Sequence, residues 1–343
     1  MSTGRISTNE ELDELLSRPS PALIALMERL EGDLLVLGVA GKMGVTLAMA
    51  ARRATDAAGV SRRVIGVSRF RDSRARAQLE RAGVETIACD LLDRAAVAEL
   101  PRVDNVVFMA GRKFGTVGSE HRTWAANALA PANVAEHFRG SRIAAFSTGC
   151  VYPMRLPGSG GCVETDAPDP VGEYAQSCLA RERVFEHLGR RDGTPVCLLR
   201  LNYAIDLRYG VLHDIARRIL DGEPIDLSVG HFNCIWQGDA NSFALLALRE
   251  CDVPAAVLNI TGPQTLSVRR VAEDLADALG RPVRFSGEDS GPVYLSDAGR
   301  AVARFGTPSV PLSKMVEWTA CWLGSGGESL GKPTHFQVRD GRF

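Results

Sequence analysis

The chain has 343 residues, 45% hydrophobic and 24% charged, the proportions of a soluble globular protein with a large buried core. Basic residues (40) nearly balance acidic ones (41), leaving a net charge of −1 that argues against a nucleic-acid or anionic-membrane binder. No apolar run reaches the roughly 18 residues that span a bilayer, and the polar, acidic N-terminus lacks the layout of an export signal, so the expected location is the cytoplasm.

Residues 10–31 read as an amphipathic helix broken near Pro19 and Pro21. From residue 33 short apolar runs alternate with helical stretches. The runs are DLLVLGVAG, RRVIGVSRF, ETIACDL, DNVVFMAG, SRIAAFSTGCVYP, TPVCLLRLNYAI and AAVLNITG. Strands that are apolar over most of their length, separated by helices, predict an α/β fold with a parallel sheet covered on both faces. The expected organisation is an N-terminal helical extension (1–32), a doubly wound Rossmann domain (33–205 with 234–262) and a smaller C-terminal substrate lobe (206–233 with 263–325). Ser267 is the expected N-cap of a helix in that lobe. Residues 326–343 lack periodicity and are expected to run as an extended tail along the surface. The eight cysteines include no C-x-x-C pair and no zinc-like arrangement with histidine, so they read as reduced core residues and no metal is expected.

Gly38, Gly41 and Gly44, with Lys42 and Met43 between them, lie between the first strand and the first helix. Glycines there let the backbone approach a pyrophosphate, and the helix N-terminus behind them offers free N–H groups. The second strand ends at Ser68-Arg69, where an NAD-selective site usually carries an acidic residue. A guanidinium there suits a 2′-phosphate, so NADP(H) is the preferred cofactor and NAD(H) the alternative. Asp90-Leu91 after the third strand and Met109-Ala110-Gly111 after the fourth complete the candidate cofactor groove.

With the glycine triplet, Asp90-Leu91, the strand exit Ser147-Thr148-Gly149-Cys150-Val151-Tyr152 and Tyr174 downstream, residues 33–323 resemble the extended short-chain dehydrogenase/reductases, in the NAD-dependent epimerase/dehydratase branch. The resemblance implies that Thr148 hydrogen-bonds the substrate oxygen that changes oxidation state. It implies Tyr174 as the acid/base at that oxygen and Asn127 as the residue holding the bend beneath the site. It also implies a homodimer built on the helices carrying Asn127 and Tyr174, where Trp124, Ala125 and Ala126 beside Phe138 suit such packing and suit a monomer core equally.

The chain departs from the family four residues after the tyrosine, where Cys178 replaces a lysine that would hold the nicotinamide ribose and lower the tyrosine pKa. Lys113, or Arg181 one helical turn further on, is the candidate replacement cation. Without one, Tyr174 stays protonated and favours donating to a carbonyl, which leans toward reduction with NADPH. Family members acting on nucleotide-diphosphate sugars carry an arginine where Phe232 stands, so a smaller sugar, polyol or sugar acid is as well suited as a nucleotide sugar. Candidate substrate contacts are Lys113, Gly149, Cys150, Asn202, Arg208 and His231, with Asp206 and Tyr209 nearby. The leading reading is an NAD(P)-dependent oxidoreductase acting on a hydroxyl or carbonyl of a carbohydrate-like substrate. An epimerase or dehydratase with tightly bound NAD+ and a catalytically silent nucleotide-binding module are the alternatives.

Overall fold

The structure, a computed structural model, describes residues 6–289, 291–332 and 334–342. Residues 1–5 of the predicted extension, and Pro333 and Phe343 of the predicted tail, lie outside the described residues. Seven parallel strands form the central sheet: β1 (Leu34–Leu37), β2 (Val64–Ser68), β3 (Glu85–Ala88), β4 (Asn105–Phe108), β5 (Arg142–Thr148), β6 (Val196–Leu201) and β7 (Ala256–Ile260). Their spatial order is β3-β2-β1-β4-β5-β6-β7. Winding reverses between β1 and β4, which opens a crevice at the carboxyl ends of those two strands.

The apolar runs are explained by helices on both faces. Alternate residues of β1 point opposite ways: Leu34 and Val36 join the core under the helices Pro21–Arg29, Gly44–Ala57 and Gln237–Leu246. Leu35 and Leu37 join the core that contains Phe138 and Phe185. A third core, around Phe232, Trp236 and Trp322, lies in the smaller lobe, where the helices Val211–Leu220, Val268–Leu279 and Leu312–Gly324 meet. Ser267 caps the middle helix, its hydroxyl accepting from the Arg270 N–H at 3.4 Å.

Three details differ from the sequence reading. The N-terminal extension is built into both parts of the fold: Leu12 and Leu16 enter the lobe core, whereas Leu23 and Met27 enter the sheet core. Helix Gly299–Phe305 packs against the sheet through Ala301 and not within the lobe. The tail does not stay on the surface, because Thr334 and Phe336 are buried and Phe336 belongs to the lobe core. Anchors spaced this irregularly leave no periodic trace. Of the cysteines, Cys321 is exposed rather than internal; all eight are free thiols. Among the described residues no helix is long and apolar enough to cross a membrane.

Candidate active site

The crevice between β1 and β4 opens into two joined clefts of about 390 and 280 Å³, which share Gly38, Gly41, Met109 and Gly111 as walls. Gly38 turns with φ +85°, and a Cβ there would lie 2.6 Å from the Ala110 nitrogen. At Gly44 a Cβ would lie 2.4 Å from the Val39 carbonyl oxygen. The loop therefore presents bare backbone, and helix Gly44–Ala57 begins behind it with no side-chain cap on its first N–H groups. Ser68, Arg69, Asp90, Leu91 and Ala110 line the smaller cleft, where Arg69 Nη1 stands 3.8 Å from Asp90 Oδ2. A bare glycine cradle, a helix N-terminus and a polar far end fit a nicotinamide dinucleotide. Gly44→Ala should weaken dinucleotide binding at least about tenfold and cost roughly 1–3 kcal/mol of stability, as overpacking does. A fluorescence titration with NADH beside a melting curve checks both.

The larger cleft holds the candidate reacting groups. Thr148 ends β5, and its Oγ1 accepts from the Cys150 N–H at 3.2 Å, starting the turn Gly149–Val151. Tyr174 sits in the first turn of helix Gly172–Asp192, and the Thr148 and Tyr174 side chains meet. That helix is fixed to the sheet by a buried pair: Arg200 donates to Glu182 at 3.0 and 2.7 Å, and the Ser147 hydroxyl donates to the same carboxylate at 2.5 Å. Asn127 lies in Ala125–Leu129, which is wound more widely, as a π-helical turn. Its amide accepts from Arg112 N and donates to Arg112 O, both at 2.9 Å, and donates to Ser177 Oγ at 2.9 Å. Such a turn displaces one side chain out of helical phase, which here pins the loop after β4 to the Tyr174 helix.

Cys178 is fully buried beside Tyr174, and Arg181 reaches the cleft from below. The Arg181 guanidinium donates to the Phe146 carbonyl at 2.8 Å and to Asn127 Oδ1 at 2.7 Å, and its Nε has no protein acceptor. A Cβ at Gly111 would lie 2.5 Å from Arg181 Nη2, so glycine at 111 is what lets the guanidinium in. Lys113 stands half-buried above, Nζ 5.7 Å from the centre of the Tyr174 ring. The two candidate cations thus flank the tyrosine.

Burial, then the Cys178 and Cys150 sulfurs, push the Tyr174 phenol well above its ordinary pKa, with Arg181 and Thr148 opposing. Burial pushes the Cys178 thiol up to about 11, so it is neutral at physiological pH. Burial also lowers the Lys113 ammonium, against Cys150, Cys178 and Asp214. Lys42 is brought down to about 7 by burial and by Lys113 and Lys332, with Asp214 opposing.

Most predicted residues converge on this cleft, but not all. Cys150 and Asn202 line it; Gly149 lies behind the wall, packed near Ser296. Arg208 is committed elsewhere, donating to Asp206 at 2.8 and 3.0 Å and to Asp13 at 2.9 Å. His231 faces away from the cleft and pairs with Asp289 at 3.1 Å. Neither is positioned as a substrate contact, because Arg208 is tied into a buried ion-pair network and His231 stands beside Asp289 outside the cleft lining. Tyr203, Phe114, Gln237 and Thr334 also line the cleft, and sequence reasoning does not single them out. Only Tyr203, an aromatic residue directly after the β6 exit, carries a usable signal.

The model of the NAD dependent epimerase/dehydratase family matches residues 34–234. Among solved structures, UDP-glucose 4-epimerase of Thermotoga maritima, crystallised with UDP-glucose, aligns at 21% identity over 84% of this chain and 97% of its own (TM-score 0.70). UDP-glucose 4-epimerase of Thermus thermophilus, in complex with NAD, aligns at 21% identity with the same coverage (TM-score 0.68). A mutant UDP-glucuronic acid 4-epimerase of Bacillus cereus, with NAD and a fluorinated UDP-sugar, aligns at 18% identity over 84% of this chain and 98% of its own (TM-score 0.68). No curated protein sequence matches the chain significantly. With the family model covering more than half of its length, on top of a sheet order and glycine cradle of the expected kind, the chain belongs to the NAD dependent epimerase/dehydratase family of enzymes.

Proposed function

We propose that the chain catalyses a nicotinamide-dependent oxidoreduction at a hydroxyl or carbonyl carbon of a carbohydrate-like substrate. The observation that carries this reading is the convergence of Thr148, Tyr174 and the glycine cradle on one cleft, with a buried guanidinium beneath the tyrosine. The cradle Gly38–Gly44, Arg69, Asp90 and Gly111 would hold the dinucleotide, which supplies hydride exchange when bound. Tyr174 gives or takes the proton at the substrate oxygen, and Thr148 hydrogen-bonds that oxygen and the phenol together. Asn127 and Arg112 hold the floor of the site, while Arg181 supplies the positive charge that Cys178 lacks.

The direction of turnover divides into two readings. A phenol held above its ordinary pKa and Arg69 at the end of β2 favour reduction with NADPH. An internal cycle, in which NAD+ is retained and an epimer or dehydrated product leaves, is favoured by epimerase neighbours whose structures contain NAD. Purified protein that is desalted, denatured and analysed for released nucleotide separates them. Near-stoichiometric NAD+ establishes the internal cycle and overturns the NADPH reading. Empty protein that binds NADPH at least about tenfold more tightly than NADH, a preference lost in Arg69→Ala, establishes the exchanging reductase. Empty protein that binds neither nucleotide sinks the oxidoreductase reading itself.

A further inference from the structure

Only four lysines, at 42, 113, 314 and 332, stand among 40 basic residues, and two of them line the cleft. Lys42 and Lys113 line it, and Lys332 acts electrostatically on Lys42. Lys42 leaves the glycine loop toward the smaller lobe: its Nζ stands 3.3 Å from the centre of the Tyr209 ring and 4.7 Å from that of Phe114. The carboxylate opposing this charge, Asp214, is itself occupied by the tail, accepting from the Thr334 N–H at 2.7 Å and its hydroxyl at 2.6 Å. An anion in the cleft would favour the charged form of both ammoniums, which burial alone disfavours.

The space on the far side of Tyr203 is closed. Phe232 is fully buried, with Tyr203 and Phe336 each 6.4 Å away between ring centres. Between Tyr203, His231, Tyr294 and the tail residues Phe336, Val338 and Arg339 there remains a cavity of about 10 Å³. That is room for one water at most, where sites for drug-sized ligands run to roughly 300–1,000 Å³. Arg339 anchors this part of the tail by donating to the Ser228 carbonyl, and the tail then meets the start of the Tyr174 helix, where Gly341 packs on Val171 and Gly172.

We propose that the substrate is a compact, nucleotide-free carbohydrate bearing a carboxylate or phosphate, held by Lys42 and Lys113, with residues 334–339 as the wall that limits its size. The inference rests on the oxidoreductase reading above and narrows its substrate. The two lysines supply charge-assisted hydrogen bonds to the oxyanion, Tyr209 and Phe114 hold the Lys42 ammonium by cation–π contact, and the sugar hydroxyls extend toward Thr148 and Tyr174.

The test is calorimetric titration of the full chain, with and without saturating NAD+, using D-glucuronate, D-glucose 6-phosphate, uncharged D-glucose and UDP-glucose as probes. The expected result is that an oxyanion-bearing sugar binds at least about tenfold more tightly than glucose, and UDP-glucose no better than glucose. Glucuronate and glucose 6-phosphate are separate arms, and the tighter identifies the carboxylate or the phosphate. Lys42→Met and Lys113→Met should each weaken that sugar about tenfold, and by more than they weaken NADH. Equal binding of glucose, tightest binding of UDP-glucose, or absent binding of both charged sugars overturns the proposal. So does a pair of lysine variants that lose NADH affinity and keep the sugar, which would give both cations to the cofactor pyrophosphate. The NADH titration of the unaltered chain reads the oxidoreductase assignment separately: failure there sinks that assignment, whereas failure of sugar selectivity alone leaves it standing.

Discussion

Arg181→Met is expected to lower turnover in the alcohol-oxidising direction by roughly 10²–10³-fold, the scale of losing one preorganised charge from a closed site. Arg181 touches the Phe146 carbonyl and Asn127, so it acts on Tyr174 through position and charge. The sign follows from the tyrosine's two forms. Oxidation needs the phenolate, and removing a nearby cation raises a pKa that burial already holds high, so less phenolate exists at any given pH. Reduction needs the phenol, which is already the dominant form. The loss should therefore be much smaller for reduction, and the oxidising pH profile should move upward. A melting curve controls for the roughly 1–3 kcal/mol that unpairing the Phe146 carbonyl costs. Equal losses in both directions with an unmoved pH profile would make Arg181 merely structural.

Cys178→Lys restores the family pattern in one step, and it should fail. The position is fully buried, its thiol is neutral, and Arg181 already lies beside it. A longer side chain there overpacks the helix, and its ammonium faces a guanidinium with no carboxylate added to balance it. The expected cost is about 3–5 kcal/mol, read as a melting temperature lowered by about 5–10 °C, with no gain in turnover. A variant that melts as the parent does and turns over faster would show that Arg181 never replaced the lysine. The double variant Cys178→Lys with Arg181→Met separates charge conflict from crowding. Relief of instability in the double variant assigns the cost to repulsion.

What is legible in the sequence follows from how each feature is encoded. The sheet and its helices are legible because buried parallel strands need continuous apolar runs, and Leu34–Leu37 or Asn105–Phe108 cannot be read otherwise. The glycine cradle is legible because only glycine tolerates the contacts at Gly38 and Gly44. Thr148, Tyr174 and Asn127 are legible through their order along a family pattern, and Arg181 through helical spacing from Cys178. Arg208 and His231 mislead because residue type suggests contact, whereas Arg208 is held by its near neighbour Asp206 and by the remote Asp13, and His231 stands beside the remote Asp289. The π-helical turn at Ala125–Leu129 and the left-handed backbone at Tyr203 (φ 44°) are imposed by tertiary packing and have no local signature. The tail is hidden for the same reason, since a few isolated anchors hold it.

The N-terminal helices carry a mechanical consequence. Asp13 accepts from Arg208 at 2.9 Å on the lobe side and from Gln78 at 2.6 Å on the sheet side, while Glu14 pairs with Arg53 of the helix behind the glycine loop. The Leu16 carbonyl accepts from Asn241 at 3.3 Å, and Leu12 and Leu23 are embedded in different cores. Rotating one half of the enzyme away from the other would tear several of these fastenings at once. The extension is thus a splint across the two halves, fastened to both cores at once.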